Sequence, residues 1–265
     1  MIEIKKILFS LIAVICVHVL FAQNDTMYVM KDGVVVGEFN VKTEIDSIIF
    51  YKPEVKTNQS FIDERDGNIY KTVTIAHQTW MAENLRYVYS VVGSSTGSRT
   101  SPYYYVYDYQ GTNVSEAIAA TTEYGVLYNW TAAMAKSEST DENPSNVQGV
   151  CPAGWHLPSD AEWTELSDYL GGEGAAGGKL KDSTSTYWNN PNSNATDEFG
   201  FGALPGGSRS IYDDFEYKGN WGYYWTATES NFNNAWYRVL SYSSSTISRY
   251  EDTKELGFSV RCVMD

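Results

Sequence analysis

The stretch CPAGWHLPSDAEW at residues 151–163 carries the most specific local instructions in the chain. Pro152 and Gly154 favour a turn, and Pro158 ends the short extended segment that follows it. Ser159 is a good N-cap, and Glu162 lies three residues later, where its carboxylate can reach back to the Ser159 amide as a capping box. The stretch therefore predicts a helix that begins directly after Ser159.

The predicted helix has one apolar face, made of Ala161, Leu166 and Leu170 and widened by its aromatic residues. The Gly171-Gly172 pair is expected to end it after roughly three turns, because glycine readily adopts the backbone conformation of a helix C-terminus.

The first 22 residues are typical of a secretory signal peptide. Lys5 and Lys6 precede an apolar run, and Ala22 offers a cleavage site before Gln23. A lipid anchor on Cys16 is the alternative, but Ile15 is bulkier than the residue usual before a lipidated cysteine. No other stretch approaches the ~20 apolar residues of a membrane span, so we expect no transmembrane segment in the mature chain. The sequence thus predicts a protein that is secreted or lies on the outer cell surface.

Export determines how the cysteines are interpreted. Removal of the signal peptide leaves Cys151 and Cys262, and an even pair in an oxidising compartment predicts a disulfide. The bridge would close a loop of about 110 residues. By restricting the unfolded chain it would stabilise the folded state by roughly 4–5 kcal/mol. Two buried free thiols remain the alternative.

The charge excludes some partners. The full chain has a formal net charge of −14, and loss of Glu3, Lys5 and Lys6 (a net of +1) gives −15 for the mature chain. Such a surface repels nucleic acid and anionic lipid. The 21 Tyr, 8 Trp and 10 Phe supply ample area for a core, so a disordered chain is not expected.

Composition divides the rest of the chain into segments. Residues 27–50 predict a small β unit with a hairpin turn at Asp32-Gly33, residues 51–60 a linker, and residues 61–265 one main domain.

Patterning within the main domain gives a coarse map of its elements. We predict strands around an Asp66-Gly67 turn, a long surface loop over 91–115 and a second helix over 124–135. The C-terminal third predicts strands: one at 225–228, a hairpin of 235–241 with 245–250, and a last strand at 257–263 that points Cys262 inward.

Four motifs, in order, carry a family resemblance. They are YKTVTIAHQTWMAENLRY, YGVLYNW, CPAGWHLPSDAEW, and YYWTAT with AWYRV and GFSVRCV. Together they resemble the Fibrobacter succinogenes major paralogous domain, common in secreted proteins of Bacteroidetes, over about 61–265. The third motif is also similar to an element of formylglycine-generating-enzyme-like domains. The resemblance implies an α+β, C-type-lectin-like fold, with two helices beside a twisted antiparallel sheet and long loops, but no settled activity.

The residues argue against enzymatic chemistry. A formylglycine-generating enzyme needs active-site cysteines near the end of the chain, and Cys262 is assigned to the bridge. His156, between Trp155 and Leu157, is expected to be a structural histidine, and no nucleophile motif accompanies it or His77. Acidic pairs such as Asp213-Asp214 are expected anyway in so acidic a chain. We therefore predict no catalytic site.

No metal or cofactor is expected either. The calcium and sugar-binding motifs of lectins are absent from the sequence. Asp213, Asp214 and Glu216 could offer oxygens to a hard cation, but a solvated acidic loop is the simpler interpretation.

Recognition through loops at about 210–250 is the remaining hypothesis, because this segment interleaves rigid rings with short polar side chains. We expect Trp236, Val239 and Ile247 to hold the hairpin to the core, leaving a ligand-binding set free to face outward. This set is Asn231, Asn233, Asn234, Tyr237, Ser241, Tyr242, Ser243 and Tyr250.

The predicted function is therefore adhesin-like or receptor-like binding of a protein or glycan ligand at the cell surface. By resemblance, a diversity-generating retroelement could vary the hairpin. The alternative is a structural subunit of an appendage or matrix, whose N-terminal strands pair with a neighbour through a free edge.

Overall fold

A computed structural model describes residues 26–31, 34–40, 59–121 and 123–265 of the chain. The chain divides into two compact units, residues 1–53 and 54–265. The predicted signal peptide, the second half of the small β unit and most of the predicted linker lie outside the described residues.

The first unit contains a two-stranded antiparallel sheet. β1 (Thr26–Lys31) pairs with β2 (Val34–Asn40), and the register shifts between Val29 and Met30. This pairing confirms the predicted hairpin, although its turn residues are outside the described ranges.

The second unit is built mainly from short antiparallel strands. In chain order they are β3 (Gln59–Ile62), β4 (Ile69–Ile75), β5 (Gln78–Met81), β6 (Tyr104–Tyr105), β7 (Leu127–Tyr128), β8 (Trp155–His156), β9 (Ser208–Arg209), β10 (Phe215–Glu216), β11 (Trp221–Glu229), β12 (Asn234–Ser241), β13 (Ile247–Thr253) and β14 (Val263–Met264). The described helices are α1 (Val114–Ala120), α2 (Trp130–Met134), α3 (Asp160–Tyr169) and α4 (Glu173–Leu180). The fold is therefore mixed α+β.

Two sheets dominate the unit. The larger has the order β3-β4-β5-β14-β8, so β14, the last strand in sequence, lies between β5 and β8. The other has the order β11-β12-β13, and its β12–β13 pair is the predicted C-terminal hairpin.

The β11–β13 sheet lies between two parts of the core, because side chains alternate across a strand. Trp225, Tyr237 and Val239 pack on one side with Phe258. Tyr224 and Leu240 pack on the other side, with Ile247, Trp163 and Trp80. Both faces of this sheet are thus covered. This is why its strands carry apolar side chains on both faces and do not alternate between apolar and polar residues.

Helix α3 begins as predicted. The Ser159 hydroxyl accepts a hydrogen bond from the Glu162 amide (3.2 Å), and the Glu162 carboxylate accepts one from the Ser159 amide (2.9 Å). The capping box is confirmed, and Gly171 and Gly172 follow the helix with positive φ.

The predicted helix over 124–135 is wrong in its first half. Leu127 and Tyr128 are extended in β7, and α2 begins only after Asn129. The Asn129 side chain caps the helix at the Ala132 amide and also donates to the carbonyls of Ser98 and Ser101. These long-range bonds fix the helix start, and local periodicity does not show them.

The surface loop predicted for 91–115 is only partly correct. Tyr104 and Tyr105 form β6 and are buried, and α1 begins at Val114. Helix α4, in the glycine-rich segment after Gly171, was not predicted at all.

The predicted disulfide is confirmed. Cys151 and Cys262 are bonded across 111 residues, and both are fully buried. Cys262 points inward as expected, and it fastens the segment before β14 to the segment before β8.

Candidate ligand-binding site

The structure places six of the eight predicted binding residues in two groups at opposite ends of β12, and Tyr237 and Tyr250 pair with each other between them. Asn231, Asn233 and Asn234 lie at its start, whereas the 241–243 segment lies at its end. Seven residue steps along a strand correspond to about 23 Å. The eight residues therefore do not form one patch.

The first group makes the tip of the β11–β12 connection. The Asn231 side chain accepts hydrogen bonds from the amides of Asn233 (2.9 Å) and Asn234 (3.1 Å), so Asn231 shapes the turn. Asn233 accepts a hydrogen bond from the exposed Arg99 (3.0 Å). Phe232, between them, is 86% exposed.

The second group surrounds a buried lysine. The Lys181 ammonium donates to the carbonyls of Ser193 (3.0 Å), Ser241 (2.9 Å) and Ser244 (2.8 Å), and burial lowers the pKa of Lys181 to about 8. Ser241, expected to face outward, is buried because its carbonyl belongs to this arrangement. Tyr242 is half-buried, and Ser243 is exposed.

Tyr237 and Trp236 have the opposite orientations from those expected. Tyr237 is only 9% exposed and packs against Phe258, with ring centroids 4.8 Å apart. Trp236 is half-buried, and the Arg249 guanidinium lies 3.4 Å above its ring centroid. The expected exposure of Tyr237 is therefore wrong, whereas Val239 and Ile247 are buried as predicted.

Tyr237 nevertheless borders an open cleft of about 250 Å³, which we call the aromatic cleft. Its floor consists of the rings of Tyr223, Tyr237 and Phe258, whose centroids are 4.8 to 6.0 Å apart. Its rim comprises the exposed side chains of Tyr212 and Tyr217, together with Ile211 and Leu256, Ser208 and Ser210, and the acidic Glu216 and Asp252.

The hydroxyls on the cleft floor are open to solvent. Within the described ranges, neither the Tyr223 nor the Tyr237 hydroxyl makes a hydrogen bond to the protein. Burial, assisted by the charge of Asp252, raises the pKa of Tyr237 to about 12. Burial, assisted by the charges of neighbouring tyrosines and Glu216, also raises the pKa of Tyr223. Both hydroxyls are therefore neutral at pH 7, and each can donate to or accept from a ligand.

A second opening, the tip cleft, has a volume of about 330 Å³ and the opposite charge character. Lys254 lies 4.3 Å above the Trp130 ring and is paired with Glu229, and Arg99 and Phe232 border the same space. The 252–256 segment contributes Asp252 and Leu256 to the aromatic cleft and Lys254 to the tip cleft. The 252–256 segment thus contributes to the lining of both clefts.

His156 is buried between two carboxylates. Its Nε2 lies 2.7 Å from the Glu162 carboxylate and its Nδ1 lies 2.8 Å from the Asp265 carboxylate. Burial alone would lower the pKa of His156, but the hydrogen bonds and charges of Glu162 and Asp265 outweigh it and raise the pKa.

Over the described ranges, no group of three or more His, Cys, Asp or Glu side chains is arranged to hold a metal ion. Asp213, considered above for a hard cation, lies instead 3.5 Å from the Arg209 guanidinium. In the same part of the chain, no helix combines the length and the apolar character needed to cross a bilayer.

Sequence reasoning missed Arg99, Lys254 and Asp252 as cleft residues. Arg99 lies more than a hundred positions before the hairpin, and only the tertiary fold brings it to the tip. Tyr212, Tyr217 and Tyr223 lie in the 210–250 segment predicted to recognise a ligand but outside the predicted ligand-binding set, because local pattern does not show which rings share a cleft.

Comparison with known proteins assigns the chain to a family. The fold and the site define the chain's second unit as a mixed α+β domain with a buried disulfide and open clefts lined by aromatic residues. The family model described as the Fibrobacter succinogenes major domain matches residues 73–264, and the chain belongs to this family. Comparison with curated proteins and with solved structures found no match.

Proposed function

We propose that this chain is a non-enzymatic binding protein, secreted or held at the outer cell surface, that recognises a protein or glycan ligand. The proposed contact surface comprises the aromatic cleft, the tip cleft and the exposed residues of the β11–β12 tip. The observation that carries the proposal is the aromatic cleft, which five rings line and where two phenol hydroxyls have no partner among the described residues. Such a surface offers a ligand both ring contacts and hydrogen bonds.

The surroundings of the clefts support recognition. Tyr212 is 78% exposed and Phe232 is 86% exposed, and large exposed rings supply contact area at low entropic cost. Short hydroxyl and amide side chains lie beside them, which is the composition of adaptable binding surfaces.

A C-type-lectin-like arrangement is the finer description of the fold that we propose. The mixture of mostly antiparallel strands with few helices is compatible with it, as is the concentration of exposed rings in loops. An origin in Bacteroidetes, cleavage near Ala22 and retroelement variation of the hairpin belong to the same proposal.

Binding of the purified protein to glycan arrays and to intact cells tests this function. Tyr212→Ala and Phe232→Ala should each weaken binding about 30-fold, because an exposed aromatic anchor contributes about 2 kcal/mol to an interface. Tyr89→Ala is the matched control, since Tyr89 is 72% exposed and borders neither cleft. Binding that both site variants leave intact would contradict the proposed surface.

A structural subunit is the second candidate, and the β1–β2 ribbon favours it. Among the described residues this sheet has two strands, and each strand leaves one edge open to a further strand. A two-stranded ribbon is marginal on its own, so a neighbouring chain could complete it. Polymerisation that increases with protein concentration would support this candidate, whereas a protein that stays monomeric would exclude it.

A further inference from the structure

We infer that the aromatic cleft binds the ammonium group of an organic cation, which lies over the aromatic floor of the cleft and beside the carboxylates of Glu216 and Asp252. This inference names the chemical class of the ligand for the proposed function. It rests on that proposal only because it places the ligand in the aromatic cleft. The shared chemistry is a positively charged nitrogen on an organic group. It could come from a quaternary ammonium of the choline type or from a primary amine.

The rings provide the first argument. The planes of Tyr223 and Phe258 lie 10° apart with centroids 4.8 Å apart, and Tyr237 is tilted by 50° against Phe258. Exposed Tyr212 and Tyr217 add two more rings at the rim. Tyr223 and Phe258 therefore stack on each other, and a cation in the cleft meets the parts of this ring cluster that border the cleft together with the two rim rings, whose π-systems attract it.

The charge of the lining provides the second argument. Of the eleven lining residues, Glu216 and Asp252 are acidic and none is lysine or arginine. An anionic ligand would meet two carboxylates without compensation, whereas a cation is attracted by both. The tip cleft differs, because Arg99 and Lys254 border it and its one acidic lining residue, Glu229, is paired with Lys254.

The chain's own cations provide the third argument, because they occupy other rings. Arg65 lies over Tyr87, Arg249 over Trp236 and Lys218 over Tyr107, at 3.4 to 4.4 Å from the ring centroids. In the described part of the chain, no such contact involves any ring of the aromatic cleft. These rings are therefore available to a cation from outside.

Tyr237 offers a ligand a polar atom at the floor of the cleft. Its ring is largely buried, and its hydroxyl is open to solvent and has no hydrogen-bond partner within the described residues. A neutral phenol can accept a hydrogen bond from a primary ammonium, and its ring contacts the methyl groups of a quaternary one.

The size of the cleft limits what enters it. A volume of about 250 Å³ lies below the ~300–1,000 Å³ of pockets that hold drug-sized molecules. The cleft therefore accommodates a small head group or one side chain and leaves the rest of the ligand outside.

The test compares each cation with a neutral molecule of the same shape. Choline is titrated against 3,3-dimethylbutan-1-ol, and n-butylammonium against butan-1-ol, into the intact protein by calorimetry or chemical-shift perturbation. We expect at least one of the cations to bind tenfold or more tightly than its neutral counterpart. Preference for choline would indicate a quaternary ligand, and preference for butylammonium a primary amine.

Variants assign the interaction to the cleft. Glu216→Gln and Asp252→Asn should each weaken cation binding severalfold, and Tyr212→Ala should do the same. Tyr89→Ala should bind as the wild type does. Because these four side chains are half-buried or exposed, the variants should fold, and unchanged thermal melts would verify this.

Three results would overturn the inference. They are equal binding of the cations and their neutral counterparts, no saturable binding of either cation, or cation binding that the cleft variants leave unchanged. If glycan or cell binding persists in any of these cases, the proposed function stands and only the ammonium assignment fails. If the protein binds the cations as expected but binds neither cells nor glycans, the proposed function fails and the ammonium assignment stands.

Discussion

His156 joins three distant parts of the domain. Its imidazole lies between Glu162 in α3 and Asp265 after β14, and the second oxygen of Glu162 accepts hydrogen bonds from the amides of Ser159 and Ser145. A protonated imidazole donates to both carboxylates, so its charge is stabilised only in the folded protein.

This geometry predicts a pH dependence. The folded-state pKa of His156 is raised above the unfolded value of about 6.5, so its stabilisation is complete below about pH 6.5 and is lost as the pH rises through the raised pKa. Urea denaturation should show the free energy of unfolding falling between pH 6 and 7.5. This range stays below the pKa of Lys181, about 8, whose deprotonation acts in the opposite direction.

His156→Gln should flatten this dependence, and His77→Gln, which changes an exposed histidine, should preserve it. Equal slopes in the wild type and in His156→Gln would show that the imidazole does not contribute.

Tyr237 and Tyr250 face each other across the hairpin and should respond differently to substitution. Tyr237→Ala removes a core ring and should cost about 3 kcal/mol of unfolding free energy. Tyr250, which is 54% exposed, should change stability by about 0.5 kcal/mol or less when replaced by alanine. Tyr237→Phe should be nearly neutral, because the hydroxyl has no partner in the described structure. Chemical denaturation of the three variants checks the assignment, and a mild Tyr237→Ala would refute it.

The error in the orientation of this hairpin has a physical cause. A strand places alternate residues on opposite faces, so assigning Trp236 to the core necessarily turned Tyr237 outward. The β11–β13 sheet is covered on both faces, and Arg249 covers the Trp236 ring. An aromatic residue beside a cationic partner from the next strand cannot be distinguished locally from a core aromatic.

At the level of single elements, the sequence predicts a helix cap, but it does not predict where two backbones approach each other closely. Helix α3 carries its instructions in Ser159 and Glu162, three residues apart. Helix α4 depends on Gly177, where an added Cβ would lie 2.5 Å from the Thr246 carbonyl oxygen. From the sequence alone, Gly177 indicates the end of a helix. In the structure, glycine is required at this position because α4 packs closely against the β12–β13 connection.

Two glycines in α4 provide a matched test of this interpretation. Gly177→Ala should destabilise the domain by about 1–3 kcal/mol, because backbone atoms block the new methyl group. Gly174→Ala should stabilise it by about 0.5–1 kcal/mol, since no atom lies within 4 Å of the new Cβ and alanine favours the helix. Paired thermal melts measure both changes, and the same sign for the two variants would contradict the packing argument.

Across the whole molecule, the disulfide is the main covalent constraint that the sequence predicted. Its pairing followed from a count of two cysteines, whereas the sheet that it fastens was visible only as strand-like segments. Order and register of the five-stranded sheet depend on pairings between residues nearly two hundred positions apart, such as Val263 with Trp80. Local patterns do not encode such pairings.

Removing the two cysteines should reveal how much the disulfide contributes to the free energy of unfolding. Closing a loop across 111 residues constrains the unfolded chain by about 4–5 kcal/mol, so Cys151→Ser with Cys262→Ser should lower the unfolding free energy by up to that amount. Because both cysteines are fully buried, reductant without denaturant should leave the wild-type bridge intact. Rapid reduction of the native protein, followed by alkylation and mass analysis, would contradict the burial of the bridge.

The central position of β14 has a consequence for the order of events as the chain is made. A chain that emerges from its N-terminus presents β3, β4 and β5 early, but the strand that joins them to β8 follows residue 262. Until then one edge of β5 remains unpaired, and Cys151 has no partner. A nascent chain stalled before β14 should therefore be sensitive to protease, whereas one released a few residues later should resist it. Pairing of β14 with β5 and β8 is thus the step that completes the five-stranded sheet.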